Sequence, residues 1–206
     1  NGDKLLAVDS DLPQAGTLTF TTDDKGLYTG FKTDSQTISF DAAGGFSSGR
    51  LIGLIEMYGH VENGQAAGEY VKMQGHLDEM AATFAAAFNE AHATNVKKDK
   101  TAGTNEFFVS SNGGTITANS ITLGTDIKKS LDNIATSTDG NIGDSAGALK
   151  LANMKTASIR FERSDTTTTI GSFYQNVIGD MAVATDQVAR LGQSSAVLME
   201  SAEQRR

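Results

Sequence analysis

Three histidines, His60, His76 and His92, are the side chains of this sequence best suited to metal binding or acid–base chemistry. They follow one another at intervals of sixteen residues. If His76 and His92 lie on one helix, a rotation of about 100° per residue places them about 160° apart, so they cannot share a metal ion. We interpret the three as surface or rim histidines. Because the chain has no cysteine, thiolate zinc sites, disulfides and cysteine nucleophiles are excluded.

Clustered carboxylates are the second kind of candidate chemistry. Residues 139–144, DGNIGD, faintly resemble a calcium loop. An EF-hand needs oxygen ligands at its first, third and fifth positions and glycine at the sixth, and here glycine and aspartate exchange the last two places. A turn followed by a helix cap is therefore favoured. The pairs Asp23-Asp24 and Asp78-Glu79 could serve a hydrolase, but a turn tip and a helix flank predict solvated charge instead.

The charge balance argues against nucleic acid as a main partner. Lys and Arg number 17 against 25 Asp and Glu, a net charge of −8, whereas phosphate binding needs concentrated cations. A modest basic group of Lys150, Lys155, Arg160 and Arg163 is interpreted as charge balance beside acidic neighbours. No run approaches the ~18 apolar residues of a membrane span, and no nucleotide-binding, zinc-protease or serine-hydrolase motif occurs. We predict no catalytic residue, no cofactor and no metal.

The elements that could position such residues predict an α+β fold. Residues 1–47 are predicted to form an antiparallel β region, incomplete at its start, because apolar residues alternate with polar ones around Phe20 and Ile38. Residues 48–206 are predicted to form a mainly helical, rod-like domain. It would carry a small β-hairpin or loop insert at about 107–124.

Two long segments without proline, about 69–96 and 169–206, carry apolar residues at alternating spacings of four and three. This heptad spacing is typical of helices that pack along other helices. We expect the two helices to pack side by side and the second to extend beyond the first, which would leave Val188, Leu191 and Leu198 partly exposed. The predicted packing and assembly seam consists of Leu77, Met80, Phe84, Phe88, Phe173, Val177, Met181, Val188, Leu191 and Leu198.

The shorter segments carry weaker patterns. Residues 60–68 are predicted to be a polar connection, and Thr125 is predicted to cap a small helix that reaches Ile134. A further helix is expected to begin after Asp144 or Ser145. Residues 155–168 are predicted to be irregular.

Several stretches resemble the family of bacterial flagellar hook-associated protein 1. Residues 48–56, SGRLIGLIE, resemble the entry to its helical region, and residues 77–92, LDEMAATFAAAFNEAH, resemble its most specific helix. Phe107-Phe108 matches the pair that follows that helix. Residues 143–149 and 172–179 match its "G-D-N-x-N-A-L" stretch and the start of its terminal helix. These matches are ordered and correctly spaced over residues 46–206.

The resemblance implies a structural subunit at the junction between flagellar hook and filament, without catalysis. Its implied partners are the hook protein, the second hook–filament junction protein, identical subunits in a ring, and an export chaperone. It implies export through the flagellar type III pathway to an extracellular position on the flagellum, with no nucleic acid or membrane partner.

Two alternatives stay open from the sequence. Another axial flagellar protein, such as a filament subunit or the second junction protein, would share a coiled-coil helix but should lack the Phe-Asn-x-x-His helix followed by Phe-Phe. A secreted carbohydrate-active enzyme would place two carboxylates about 5–10 Å apart across a pocket.

Overall fold

The computed structural model describes residues 19–33, 37–40 and 50–204, and for residues 50–52 and 191 it describes the backbone alone. It combines helices with strands that pair antiparallel, apart from one parallel pairing between Tyr28 and His60, and this confirms the α+β class. The chain forms two compact units, one up to Met73 and one from Gln74. The domain boundary predicted at residues 47 and 48 lies outside the described residues and stays a prediction.

The described part of the first unit includes three short strands that match the predicted β pattern. They are β1 (Thr19–Thr22), β2 (Tyr28–Lys32) and β3 (Thr37–Ser39), and β2 pairs antiparallel with both others. The turn between β1 and β2 is held by Asp23, whose Oδ1 accepts hydrogen bonds from the backbone N–H groups of Lys25 and Leu27. This is the local role for which aspartate is favoured in turns.

The described part of the first unit also contains a helix and a second hairpin. Helix α1 (Arg50–Tyr58) ends at Gly59, and β4 (His60–Glu62) pairs with β5 (Gln65–Ala67). Residues 60–68, predicted to be a polar connection, form a β-hairpin that the sequence analysis did not predict. Asn63 and Gly64 have φ values of 50° and 72°, the left-handed conformation that a two-residue hairpin turn needs and that Asn-Gly adopts most readily.

The second unit is organised around the two long helices that the heptad spacing predicts. Helix α2 spans Glu69–Ala93, and helix α5 spans Ile170–Gln204. The elements between them are β6 (Phe108–Ser110), β7 (Ile121–Leu123), α3 (Thr125–Lys129), a 3₁₀ turn (Leu131–Asn133), α4 (Ala146–Asn153), β8 (Ile159–Phe161) and β9 (Thr166–Thr168).

Two sequence predictions in this region were wrong. The helix expected to reach Ile134 ends at Lys129, because Ser130 adopts an extended backbone with φ −154° and ψ 134°. Residues 155–168 are not irregular, since β8 and β9 pair as an antiparallel hairpin. The alternation of Ile159 and Phe161 was a strand signal that a three-residue strand makes easy to overlook.

The core of the second unit lies between α2 and the segments that cross it. Small side chains on α2, Ala85 and Ala91, are buried and allow backbone to approach the helix closely. Ile127, Ala135 and Leu151 contribute buried side chains from the connecting segments. Within the described ranges, no helix has both the length and the hydropathy to cross a bilayer.

Candidate assembly surface

The β6–β7 hairpin is fastened to α2 through Asn89. Its Oδ1 accepts hydrogen bonds from the backbone N–H groups of Phe107 and Phe108, both at 2.9 Å, and its Nδ2 donates to the Phe108 carbonyl at 2.8 Å. One side-chain amide thus satisfies three backbone groups at the point where the chain meets the helix. Asn89 therefore positions the hairpin.

His92 fastens two further segments and is completely buried. Its Nδ1 lies 3.1 Å from the carbonyl oxygen of Asn105, and its Nε2 accepts a hydrogen bond from the backbone N–H of Ala135 at 2.9 Å. These contacts assign the neutral tautomer that carries its proton on Nδ1. Burial lowers the pKa of His92, because the charged form loses its hydration. The interpretation of this histidine as a surface or rim residue was wrong.

Asn95 continues the same set of contacts just beyond α2. Its Nδ2 donates to the carbonyl oxygens of Ala135 and Gly147, both at 3.2 Å, and the backbone carbonyl of Asn95 accepts from the N–H of Gly103 at 2.8 Å. A Cβ atom at Gly103 would lie 2.3 Å from the carbonyl oxygen of His92, so glycine is required for this approach. Three segments distant in sequence thereby converge on one end of the helix.

Asp78 and Glu79 perform a similar function nearer the start of α2. Asp78 accepts a hydrogen bond from the N–H of Ala118 at 2.9 Å, within the β6–β7 connection. Glu79 accepts from the N–H of Ser164 at 2.9 Å and from its hydroxyl at 2.5 Å, within the β8–β9 turn. The prediction of a solvated carboxylate pair was wrong, because both side chains are half-buried acceptors for backbone groups.

An aromatic cluster joins the apolar face of α2 to the same hairpin. The Phe88 ring centroid lies 4.8 Å from that of Phe107 and 5.1 Å from that of Phe108, while Phe84 lies 5.8 Å from Phe108. Tilted and edge-to-face pairs of this kind contribute about 0.5–1.5 kcal/mol each beyond the area they bury. The cluster and the hydrogen bonds of Asn89 make a rigid platform.

The root of α5 is anchored by a second aromatic contact. Phe161 of β8 and Phe173 of α5 are both buried and stack with ring centroids 3.9 Å apart. Val177, one turn further along, is buried as well. The ring of His76 on α2 lies 6.2 Å from that of Phe173, so the two long helices meet at this level.

Beyond this root α5 is open to solvent. From Ile178 to Gln204, Ala184 and Ser201 are half-buried and every other described side chain is exposed. Val188 is 56% exposed and Leu198 is 68% exposed, which confirms the predicted exposure of these two side chains. The side chain of Leu191 lies outside the described residues.

The predicted seam residues fall into three environments. Leu77, Met80, Phe84 and Phe88 on α2 are half-buried, Phe173 and Val177 on α5 are buried, and Met181, Val188 and Leu198 are exposed. The buried and half-buried members pack within the unit, and the exposed members are the most accessible to another molecule. Their participation in an assembly seam stays a prediction.

The loop of residues 139–144, which faintly resembles a calcium site, is held together by hydrogen bonds to Asp144. Asp144 Oδ2 accepts hydrogen bonds from the Ser137 hydroxyl at 2.7 Å and from the backbone N–H groups of Thr138 and Asp139, and Oδ1 accepts from the N–H of Ala146. The Ser137 hydroxyl, together with these N–H groups, holds the pKa of Asp144 well below its usual range. Both carboxylate oxygens of Asp144 thus accept hydrogen bonds from within the loop, which confirms the interpretation of residues 139–144 as a turn that leads into a helix.

The basic group is partly neutralised by its neighbours. Arg160 forms ion pairs with Glu162 at 3.2 Å and with Asp165 at 2.6 Å, and Lys150 donates to the hydroxyl of Thr94. For Arg160 the predicted charge balance is confirmed.

Among the residues that the structure describes, no three His, Cys, Asp or Glu side chains are grouped so that they could hold a metal ion.

The structural roles of Asn89 and His92 were not predicted from the sequence, in which Asn89 is part of the stretch that resembles the family and His92 was interpreted as a surface or rim histidine. A signal for those roles was present. Two polar residues stand three positions apart on one side of a helix whose other residues there are Phe and Ala. Buried polar groups are almost always hydrogen-bonded, so such a pair predicts contacts with backbone from elsewhere in the chain.

A rigid platform that carries a long helix with an exposed heptad stripe is typical of structural proteins that assemble through helices. Residues 3–108 match the family model described as the flagellar hook-associated protein FlgK helical domain, and the chain belongs to this family. This confirms the resemblance drawn from the motifs.

A curated relative supports the same assignment. Over 163 aligned residues the chain is 34% identical to Flagellar hook-associated protein 1 of Bacillus subtilis (strain 168). The aligned region covers 76% of this chain and 32% of the relative. The chain therefore spans about a third of that relative's length. No solved structure matches the chain.

Proposed function

We propose that this chain is part of a structural subunit of the bacterial flagellum that joins the hook to the filament by packing helices along the flagellar axis. The observation that carries the proposal is the stripe on α5 that is buried at Phe173 and Val177 and continues exposed through Val188 and Leu198. A stripe of this kind, rooted in a rigid body, offers a neighbour an apolar face at a fixed orientation. Membership of the hook-associated family supports placing this subunit in the flagellum.

The proposed partners follow from that position. Identical subunits would form a ring, with the hook protein on one side of it and the second hook–filament junction protein on the other. The protein would bind an export chaperone, leave the cell unfolded through the flagellar type III pathway and act extracellularly. A chain without cysteine supports this route, because it can refold outside the cell without oxidation.

The role is proposed to be non-catalytic. Asp78, Glu79 and Asp144 are hydrogen-bonded to backbone N–H groups, which accounts for them as structural acceptors. Membership of the hook-associated family favours a junction subunit over a filament subunit.

The proposal can be tested in the bacterium that carries this gene. We expect the double variant Val188→Glu, Leu198→Glu to be exported but to leave hooks without filaments, because two charges would face the partner helix. Electron microscopy of hooks, swimming in soft agar and immunoblots of the medium would separate failed assembly from failed export.

Val197→Glu is the matched control. The exposed fraction of Val197, 60%, is similar to that of Val188, but Val197 lies on another side of α5. Normal filaments with the double variant, or an equal loss with Val197→Glu, would contradict the proposed role of the stripe.

A further inference from the structure

Asn112 and Gly113 lie in the connection between β6 and β7, and both are exposed to solvent. Asparagine followed by glycine is the pair most prone to deamidation, because glycine has no Cβ to hinder attack by its own backbone nitrogen on the asparagine side chain. Among the described residues this pair occurs at Asn63-Gly64 and at Asn112-Gly113. The two sites differ in what the fold does to the asparagine.

The side-chain carbonyl of Asn112 accepts hydrogen bonds from two donors. Its Oδ1 accepts from the hydroxyl of Ser110 at 2.5 Å and from the backbone N–H of Gly114 at 3.2 Å. Because a backbone N–H can only donate, the atom that it meets is the oxygen of the amide group and not its nitrogen. Two donors on one carbonyl oxygen stabilise the negative charge that this oxygen acquires when its carbon is attacked.

The backbone nitrogen that would attack is weakly held. The N–H of Gly113 donates to the carbonyl oxygen of Ser110 at 3.3 Å, which is longer than an ordinary N–H···O hydrogen bond. A Cβ atom at Gly113 would meet nothing within 4 Å, so the space beside this nitrogen is open. The connection runs over residues 111–120, which leaves its backbone room to rotate.

We infer that Asn112 is a site of spontaneous deamidation at which Ser110 and Gly114 stabilise the intermediate. Hydroxide from solvent takes the proton of the Gly113 N–H, and that nitrogen forms a bond to Cγ of Asn112. The electron pair of the carbonyl moves onto Oδ1, where the two donors lie. When the carbonyl forms again, the bond from Cγ to Nδ2 breaks, and Nδ2 takes a proton from water and leaves as ammonia.

The product of this step is a cyclic imide, which water opens at either of its two carbonyl carbons. One opening restores the backbone and leaves aspartate, and the other leaves isoaspartate, in which the main chain runs through the former side chain. Either product adds a carboxylate to a chain whose net charge is already −8. Isoaspartate also lengthens the backbone by one carbon, which disturbs the hydrogen bond from Gly113 to Ser110.

Asn63 provides a comparison within the same chain. Asn63 and Gly64 are the turn residues of the β4–β5 hairpin, where Glu62 pairs with Gln65, and their φ values are 50° and 72°. Closure of the imide ring requires the asparagine backbone to rotate, and a two-residue hairpin turn cannot rotate unless the strands separate. The fold should therefore slow the reaction at Asn63 and support it at Asn112.

Peptide-mapping mass spectrometry of the 206-residue chain, incubated at neutral pH, measures both sites in one sample. Deamidation exchanges NH₂ for OH, and fragmentation assigns the resulting mass gain to Asn63 or to Asn112. In the folded chain we expect Asn112 to convert at least about threefold faster than Asn63, because only Asn112 has the two donors in place on an adaptable connection. In concentrated urea the two rates should become similar, since each pair then reacts as part of an unfolded chain.

Variants of Ser110 separate stabilisation of the intermediate from simple flexibility. Ser110→Ala should slow conversion of Asn112 by about three- to tenfold in the folded chain, since one donor is lost at a site that water also reaches. Ser110→Thr keeps the hydroxyl and should keep the rate. Ser111→Ala, at the exposed position next to Asn112, is the matched control and should leave the ratio of folded to unfolded rates unchanged.

Three results would overturn the inference: conversion of Asn63 at least as fast as that of Asn112 in the folded chain, a rate at Asn112 that Ser110→Ala leaves unchanged, or a rate that Ser110→Ala raises. The last result would mean that Ser110 only restrains the connection and that its loss frees the backbone to react. The inference does not rest on the proposed junction role, because both rates are measured on the isolated chain.

Discussion

The rings of Phe161 and Phe173 stack almost parallel, with centroids 3.9 Å apart and planes inclined by 7°. This contact joins the β8–β9 hairpin to the first turns of α5. Because the side chains beyond Val177 are mostly exposed, the stacked pair and Val177 supply most of the buried surface that holds this helix to its unit. A small cluster at one end thus supports a helix of 35 residues.

Removing one ring of this pair should loosen the root of α5. We expect Phe173→Ala to lower the free energy of unfolding by about 3–5 kcal/mol, as for other buried phenylalanines, measured by urea denaturation. Tyr174→Ala, at the neighbouring exposed position, should cost less than about 1 kcal/mol. Equal losses for the two variants would show that the stacked pair does not anchor the helix.

Asn89→Ala should destabilise the β6–β7 hairpin. The substitution leaves the N–H groups of Phe107 and Phe108 and one carbonyl without their partner, at a cost of about 1–3 kcal/mol. Asn89→Asp keeps the two accepted hydrogen bonds and should fall between wild type and alanine. Glu90→Ala, at an exposed neighbour, is the control, and amide hydrogen exchange of residues 107–110 is the measurement. Unchanged exchange in Asn89→Ala would contradict the assigned role.

His92 should make stability depend on pH. Its folded pKa lies below the value of 6.5 that it has when unfolded, so the unfolded chain takes up a proton first as the pH falls. The contribution of neutral His92 is therefore complete above pH 6.5 and is lost as the pH falls from there toward the folded pKa. His92→Gln should reduce this slope in a series of urea denaturations between about pH 7 and about pH 5. A slope that persists in His92→Gln would refute this assignment.

Two glycine-to-alanine substitutions should change stability in opposite directions. Gly103→Ala places Cβ 2.3 Å from the carbonyl oxygen of His92 and should lower the melting temperature. Gly179→Ala meets nothing within 4 Å in an exposed helix and should raise helix stability by about 1 kcal/mol. Circular dichroism melts of both variants measure the difference. Stabilisation by Gly103→Ala would mean that the approach of Gly103 to His92 is not close in solution.

The long elements were predictable because their information is local. The heptad spacing of α2 and α5 repeats over many turns, so each further apolar residue adds evidence for the same helix face. The β4–β5 and β8–β9 hairpins were missed because strands of three residues carry almost no period, although Asn63-Gly64 was a sufficient turn signal.

Sequence by itself determined the α+β class, the two long helices, the exposed apolar stripe and, through ordered motifs, the family. Only the tertiary structure decided which polar residues of α2 hold the unit together, because each acceptor or donor meets backbone that is distant in sequence. Asn89 and Phe107 are 18 residues apart, His92 and Ala135 are 43 apart, and Glu79 and Ser164 are 85 apart. The tertiary structure likewise decided where the stripe of α5 passes from buried to exposed, since a heptad pattern specifies a face but not the length over which another segment covers it.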